Sequence, residues 1–425
     1  MGEWLLLLLA VLDADKSRAY AVGPLTYAGW IVRRFGYRWS FITGLCIFGI
    51  GTLLFWPSAK FSSFGGFCGS SFVVGSGLST LEASAIPFVA ICGPPKYSEI
   101  RLNLAQAFQS TAAVAALVLA SYIILDDTPP KDAPLGGQTS SLDTIQWLYL
   151  GIATFIFLLA FGLYFAPIPE ITDEDLQEQT HQTAEEHGDN TYEDQPLGKQ
   201  YKLFFGVFAS FCFTGSQVSV ATFFINYAVE VNPALSDKDA AHRLAVAQAV
   251  FAAGRFAASV ILIKVKARHL LLGSVTLVVA FLGTAIGAEG DAGIAMIILE
   301  FCAKSCVFPT MFTLTLRGLR RHTKRGASWL VASIASGIVF APAMGAAADA
   351  MGTQKALVVP LVAMAAAASY SLYLNLFQSK ELDEDWALDE PAGQSESSDD
   401  MEMVPKAQRT EEQELIQEGF EKFCK

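Results

Sequence analysis

Charged residues are scarce in this chain, and the usual signatures of catalysis are missing. Only 16% of its 425 residues are Asp, Glu, Lys or Arg, against about 25% in an average soluble domain. The sequence has no Gly-rich phosphate loop with Lys, no HExxH stretch, and no Ser, His and Asp set on one side of a membrane. These absences predict that the protein is not an enzyme and uses no cofactor.

Metal-ligand spacing is missing as well. The seven cysteines lie mostly in apolar runs, none forms a CxxC pair, and the five histidines fall in loops or at the ends of runs. The cysteines are therefore expected to serve packing, and no metal site is predicted. The net charge of −12 is the sum of −9 in residues 168–200, −10 in residues 378–425 and +7 in the rest of the chain. Nucleic acid is not an expected partner, because its binding needs clustered basic charge.

Hydrophobic residues are in excess, at 52% with 31 Phe, and they are grouped into runs. A membrane-spanning helix needs about 20 apolar residues. Ten runs approach or exceed that length: 39–57, 66–91, 102–125, 145–166, 203–229, 244–263, 269–288, 292–316, 327–348 and 356–377. A shorter run covers 19–32, and residues 1–18 form only an apolar stub. The predicted fold class is therefore an all-α membrane protein with ten full spans, one short span and an N-terminal stub.

Lys and Arg are shared unevenly between alternate loops. One set of loops carries fifteen and the opposite set five, so the richer side is expected to face the cytoplasm. Residues 168–200 fall on that side as a linker too polar to bury a core, and residues 378–425 as a disordered tail. EEQELI at 411–416 resembles an acidic dileucine sorting signal, although a plain solvated tail explains it as well.

The acidic linker divides the spans into two bundles, residues 19–167 and residues 201–377. A tight basic turn joins neighbouring spans in both, within AGWIVRRFGYRWSFITG and SVILIKVKARHLLLGS. Repeated halves around a site at mid-membrane are the plan of secondary transporters. Six spans in each half would make the plan symmetric, so one helix is predicted to be missing at the N-terminus. An incomplete gene model or an alternative first exon is the expected cause.

Glu82 is the first candidate for function. It lies in the run 66–91 and has no charge partner within a helical turn. A charge at the bilayer centre costs roughly 2.5 to 3.5 kcal/mol on insertion scales, so Glu82 should face a cavity or a partner. A solitary carboxylate in a membrane is suited to carrying a proton.

Four amides are candidates for binding a sugar. Asn103, Gln106 and Gln109 are three residues apart, which places them on one side of a helix, and Gln217 lies near the middle of a span in the second half. Amides donate and accept hydrogen bonds, as sugar hydroxyls do. Hydrogen bonding between helices is the alternative for each of them.

Three further ionisable residues lie deep in predicted spans. Glu300 and Lys304 are four residues apart, so they either pair on one helix face or point towards a ligand. Arg255 is expected to be held by carbonyls or a carboxylate as a packing device, the alternative being a charge in the cavity.

Prolines and glycines in the spans predict flexibility. Pro87, Pro309 and Pro342 are expected to interrupt their helices and allow bends. Gly65 and Gly69 form a GxxxG pair, and Gly75 and Gly77 keep the same run slim, which predicts close packing against a neighbouring helix.

Several stretches resemble the fucose permease and glucose/galactose transporter branch of the major facilitator superfamily, most closely its fungal members. They include GSGLSTLEASAIPF, GPPKYSEIRLNLAQAFQS, TGSQVSVATFFINYAVE and FPTMFTLTLRGL, and the match covers roughly residues 20–377. The resemblance implies two pseudo-symmetric helical bundles around a cavity, and proton-coupled uptake of a fucose- or hexose-like sugar by alternating access. It also implies that Glu82 is the proton-coupling carboxylate and that Gln106 and Gln109 contact the sugar.

Three features depart from the family's pattern. The family's first helix bears an Asp, but here Asp13 and Asp15 lie in a polar break; Ile86 stands where Asn is usual; and Lys304 stands where a neutral or acidic residue is expected. The resemblance favours a monomeric carrier of sugar and protons in the lipid bilayer of the plasma membrane. The alternatives are a carrier of the same fold for another small polar solute and a truncated, non-transporting sugar sensor.

Overall fold

The computed structural model describes residues 18–61, 63–93, 97–125, 139–169, 197–319, 322–379 and 382. Every regular element among these residues is helical, as the fold class predicted. The chain divides into one compact unit of Met1–Ser379, which contains the described helices, and a second unit of Lys380–Lys425. Most of the predicted stub, linker and tail lies outside the described residues.

The helices follow one another in a simple order. The first half contains a π-helical turn at Pro24–Ala28 and the helices α1 Gly29–Lys60, α2 Phe64–Ile91, α3 Ser98–Leu125 and α4 Thr139–Phe165. The second half contains α5 Tyr201–Val231, α6 Asp237–Ile261, α7 Ala267–Gly287, α8 Gly290–Lys304, α9 Val307–Leu316, α10 Thr323–Ala332, α11 Gly337–Met351, α12 Thr353–Ala356 and α13 Val358–Phe377.

Nine helices in the described part of the chain are long and apolar enough to cross a bilayer. The first extends over Arg18–Ser58 and joins two runs that the sequence separates, 19–32 and 39–57. Gly36 divides it, with φ 80° and ψ −177°, a conformation that glycine adopts readily because it has no Cβ. The 28 residues of α3 cover a further predicted run. The total number of spans stays a prediction.

Two of the three prolines do not interrupt their helices as predicted. Pro87 and Pro342 lie inside the continuous helices α2 and α11, so the predicted interruptions there are wrong. The span 327–348 breaks instead at a 3₁₀ turn, Ser333–Ser336. There the Thr214 hydroxyl of α5 donates a hydrogen bond to the Ser333 carbonyl at 3.0 Å. A side chain from a neighbouring helix therefore satisfies the backbone at this break.

The span 292–316 breaks where its proline acts. α8 ends at Lys304 and α9 begins at Val307, so the break lies just before Pro309. Proline has no N–H, and Pro309 cannot donate to the carbonyl of Ser305 four residues earlier. That carbonyl is available to another donor, and Arg255 of α6 provides it.

The GxxxG pair does not pack as predicted. A Cβ at Gly65 or Gly69 would meet nothing within 4 Å, so the expectation of close packing there is wrong. The prediction for Gly77 is confirmed, because a Cβ there would overlap the backbone of Phe48. Gly77 therefore allows α1 and α2 to touch.

Replacing Gly352 with Ala is expected to destabilise the second half. Gly352 has φ 87° and ψ 155°, a region reserved almost entirely for glycine, where another residue costs about 1–3 kcal/mol. An added Cβ would also crowd Glu230, whose carboxylate accepts the Thr353 backbone N–H at 2.6 Å. Thermal unfolding in detergent should show a lower Tm for Gly352→Ala than for Gly283→Ala, where a Cβ meets open space. Equal Tm values would contradict this account.

Candidate functional site

Glu82 lies on α2, and a polar residue from the start of the described chain contacts it. The carboxylate is half-buried and accepts a hydrogen bond from the hydroxyl of Tyr20. Within the described residues, no Lys, Arg or His forms an ion pair with it. Sequence reasoning missed Tyr20, because 62 positions separate it from Glu82 and no local pattern links them.

The amides of α3 divide into two kinds. Asn103 is 0% exposed and Gln106 is 5% exposed, whereas Gln109 is exposed. The Asn103 amide donates to the Thr310 hydroxyl of α9 at 3.3 Å, so this part of α3 faces the second half of the chain. The spacing of three residues rotates each amide backwards around the helix, which turns Gln109 away from the buried pair.

The region where α3 meets the second half of the chain is called the seam, and two amide oxygens in it have no hydrogen-bond partner among the described residues. Asn103 Oδ1 and Gln106 Oε1 are buried, and neither accepts a hydrogen bond from any described residue. An unpaired buried acceptor costs about 1–3 kcal/mol. A donor from outside the chain would remove this cost.

Arg255 joins the two halves at the break in the span 292–316. Its Nη1 donates to the Gln106 carbonyl at 2.8 Å and to the Ser110 hydroxyl at 2.9 Å, both on α3. Its Nε donates to the Ser305 carbonyl at 3.1 Å, which Pro309 leaves without its helical partner. The structure thus places Arg255 among carbonyls and a hydroxyl, in the manner of a packing device.

Glu300 and Lys304 pair with each other. Lys304 Nζ donates to Glu300 Oε2 at 2.8 Å, and both side chains are 0% exposed. The ammonium also lies 3.5 Å from the centroid of the Phe301 ring. The pair is therefore enclosed, and the structure adopts the first of the two arrangements that the sequence allowed.

Gln217, the last of the predicted amides, and Phe108 of α3 differ in burial. Gln217 is half-buried on α5, next to Ser216, whose hydroxyl donates to the Pro360 carbonyl at 3.0 Å. Phe108 is exposed and stacks edge-on against Phe256 of α6, with 5.5 Å between ring centroids.

An ion pair that sequence reasoning missed also closes the seam. Arg317 Nη2 donates to Glu99 Oε2 at 2.8 Å, with 14% and 3% of their side chains exposed. Arg317 begins one of the basic loops and Glu99 lies in the first turn of α3, so the pair joins the halves at the end predicted to be cytoplasmic. The two residues are 218 positions apart, and nothing in the sequence connects them.

Glu99→Gln is expected to loosen this end of the seam. A hydrogen bond to a charged group contributes about 1.5–3 kcal/mol, so loss of the charge should raise opening roughly tenfold. The measurement is the labelling rate of a reporter, Thr310→Cys, by a maleimide in a background without the native cysteines.

The control for this change is Asp291→Asn. It removes a carboxylate from another pair with Arg, at 2.6 Å from Arg243 within the second half, and should leave the labelling rate unchanged. Exchange of the charges, Glu99→Arg with Arg317→Glu, should restore the rate. Labelling of Glu99→Gln at the unmodified rate would show that the pair does not close the seam.

Comparison with known proteins gives a consistent result. A sequence model of the Major Facilitator Superfamily matches residues 17–342. The chain is 30% identical to the L-fucose-proton symporter of Escherichia coli strain K12 over 78% of this chain and 77% of that one. It is 29% identical to the glucose/galactose transporter of Brucella abortus biovar 1, strain 9-941, over 81% and 80%.

A solved structure matches over a similar extent. The transporter FucP, crystallised in the outward conformation, superposes with a TM-score of 0.73 at 26% identity, over 86% of this chain and 89% of that one. The predicted all-α major facilitator fold and the resemblance to fucose and glucose/galactose transporters are confirmed. The relation to fungal members and the missing first helix stay predictions.

Proposed function

Because the chain belongs to the Major Facilitator Superfamily, we propose that it is a proton-coupled carrier of a monosaccharide, fucose- or hexose-like, that works by alternating access. The observation that carries the proposal is the position of Glu82, a half-buried carboxylate within a span that has a phenol, and no described basic residue, as its partner. A carboxylate without a cation can load a proton and release it. The relatives of this chain are sugar transporters. One is named an L-fucose-proton symporter and another a glucose/galactose transporter.

The sugar is proposed to bind at the amides of α3. The unpaired oxygens of Asn103 and Gln106 are acceptors, and the exposed amide of Gln109 can both donate and accept. A sugar ring offers several hydroxyls, each able to donate to such an oxygen. Gln217 is proposed as the contact from the second half, since it is half-buried on α5.

The contacts that join the two halves support transport into the cytoplasm. Glu99 with Arg317, Asn103 with Thr310 and Arg255 with the Gln106 carbonyl all join the halves. The first of these contacts lies at the end that carries the basic loops. We take this end as cytoplasmic, so sugar and proton enter from the opposite side, and opening of the seam releases both into the cytoplasm.

Uptake into proteoliposomes tests the proposal. An inward proton gradient should drive accumulation of labelled L-fucose, D-glucose or D-galactose, and a protonophore should abolish it. Competition among these sugars then identifies the preferred substrate. Accumulation of a different polar solute, with no effect of sugars, would favour a carrier of the same fold for that solute.

A sugar sensor would give a different result in the same experiment. Binding of sugar without flux in either direction would favour a sensor and overturn the proposed transport. We further propose that a single chain at the plasma membrane is the working unit, because one chain supplies both sides of the seam. Light scattering of the purified protein and imaging of a fluorescent fusion test the two parts of that proposal.

A further inference from the structure

The start of the described chain packs against α2 in a regular antiparallel register. The Tyr27 hydroxyl donates to the Ser76 carbonyl at 3.1 Å. One turn earlier, a Cβ at Gly23 would overlap the Ser79 hydroxyl. The next step of three residues on both segments brings Tyr20 to the level of Glu82. The hydrogen bond between Tyr20 and Glu82 therefore belongs to a continuous line of contacts.

Close packing at Gly23 makes this approach possible. Gly23 is buried, and any side chain there would push the segment away from α2. Tyr20, by contrast, is half-buried, as is Glu82. The phenol and the carboxylate thus meet at a place that is partly open.

The elements packed against α2 are α1, α3, α10 and the turn Pro24–Ala28. Together with the segment 18–23, these elements carry the following charged or titratable side chains in the described residues, besides Tyr20: Arg18, Tyr27, Arg33, Arg34, Tyr37, Arg38, Cys46, Lys60, Glu99, Arg101, Lys324 and Arg325. Arg18 is exposed. Several of these are engaged away from Glu82: Arg101 donates to the Ala90 carbonyl at the end of α2, and Lys324 lies over the Tyr37 ring. Among the described residues, Tyr20 is the polar side chain that pairs with Glu82.

We propose that Tyr20 is a positioning residue for proton transfer: its hydroxyl donates to the ionised carboxylate of Glu82, fixes its orientation and eases release of the proton. A hydrogen bond to a carboxylate favours the charged form. When Glu82 binds a proton, the charge that strengthens this hydrogen bond disappears. The proton then leaves for water, and the phenol keeps its own proton throughout. This inference rests on the proposed function.

Tyr20→Phe tests the inference, with Tyr27→Phe as the matched control. Both changes remove one hydroxyl from the same segment, but only Tyr20 contacts Glu82. Without the hydrogen bond the carboxylate should hold its proton more tightly, so the pH of half-maximal uptake should rise by about one unit. The maximal rate of net uptake should fall because release is slower. Sugar exchange under equal pH, which needs no proton release, should continue at the original rate.

A double variant separates positioning from a purely structural role. In a Glu82→Gln background, Tyr20→Phe should change neither exchange nor its pH dependence, because no ionised carboxylate remains to be oriented. Equal pH profiles for Tyr20→Phe, Tyr27→Phe and the unmodified protein would overturn the inference while leaving proton-coupled transport intact. Absence of proton-driven uptake in the unmodified protein would instead overturn the proposed function.

Discussion

Glu82→Gln is expected to reduce proton-driven sugar accumulation to the level of empty proteoliposomes. The amide matches the carboxylate in size and can still accept a hydrogen bond from Tyr20, but it cannot take up a proton at neutral pH. The carrier would then change between its outward-facing and inward-facing conformations only with sugar bound. Exchange of internal for external sugar should therefore persist.

The matched control for this change is Glu289→Gln, an exposed carboxylate at the start of α8. It should leave both accumulation and exchange unchanged. Full accumulation by Glu82→Gln would remove Glu82 from the coupling mechanism. Loss of exchange as well as accumulation would assign Glu82 to sugar binding or folding.

Glu300→Gln is expected to produce the largest loss of stability among single changes. It leaves the Lys304 ammonium enclosed, with the Phe301 ring and an amide as its neighbours. Removal of one partner from a buried ion pair costs about 3–5 kcal/mol, because the remaining charge is not compensated. Thermal unfolding in detergent should show a correspondingly lower Tm.

Removal of both charges should reverse most of this loss. Glu300→Gln with Lys304→Met leaves no buried charge, and buried pairs replaced by neutral residues of similar volume are often tolerated. Asp291→Asn, which breaks an exposed pair with Arg243, should cost less than about 1 kcal/mol. A double variant as unstable as Glu300→Gln would show that packing, not charge, holds this part of the bundle.

The spans could be predicted because bilayer thickness acts directly on the sequence. Each of the ten long runs is largely helical, and the runs 292–316 and 327–348 are each divided by a break. About 20 apolar residues in a row have few other stable forms in a bilayer. The ends of the helices and the breaks within the runs are harder to predict from the sequence. The turn Ser333–Ser336 depends on a hydroxyl from Thr214, 119 positions away, and Pro342 inside α11 leaves the helix continuous.

The site was predictable where one residue carries its own signal. Glu82 stands out because a lone carboxylate among apolar residues must have a partner or a function. Its partner Tyr20, and the pair of Glu99 with Arg317, arise only when distant segments meet. The pairing of Glu300 with Lys304 is partly predictable from the sequence. A spacing of four residues allows the pair, and only the structure shows that it forms.

Proton flux measured on addition of sugar tests the central claim most directly. Proteoliposomes loaded with a pH-sensitive dye and held at equal pH should acidify inside when external sugar is added. Glu82→Gln proteoliposomes should not acidify, although labelled sugar still exchanges across them. Sugar entry into the unmodified proteoliposomes without acidification, or equal acidification with Glu82→Gln, would contradict the account.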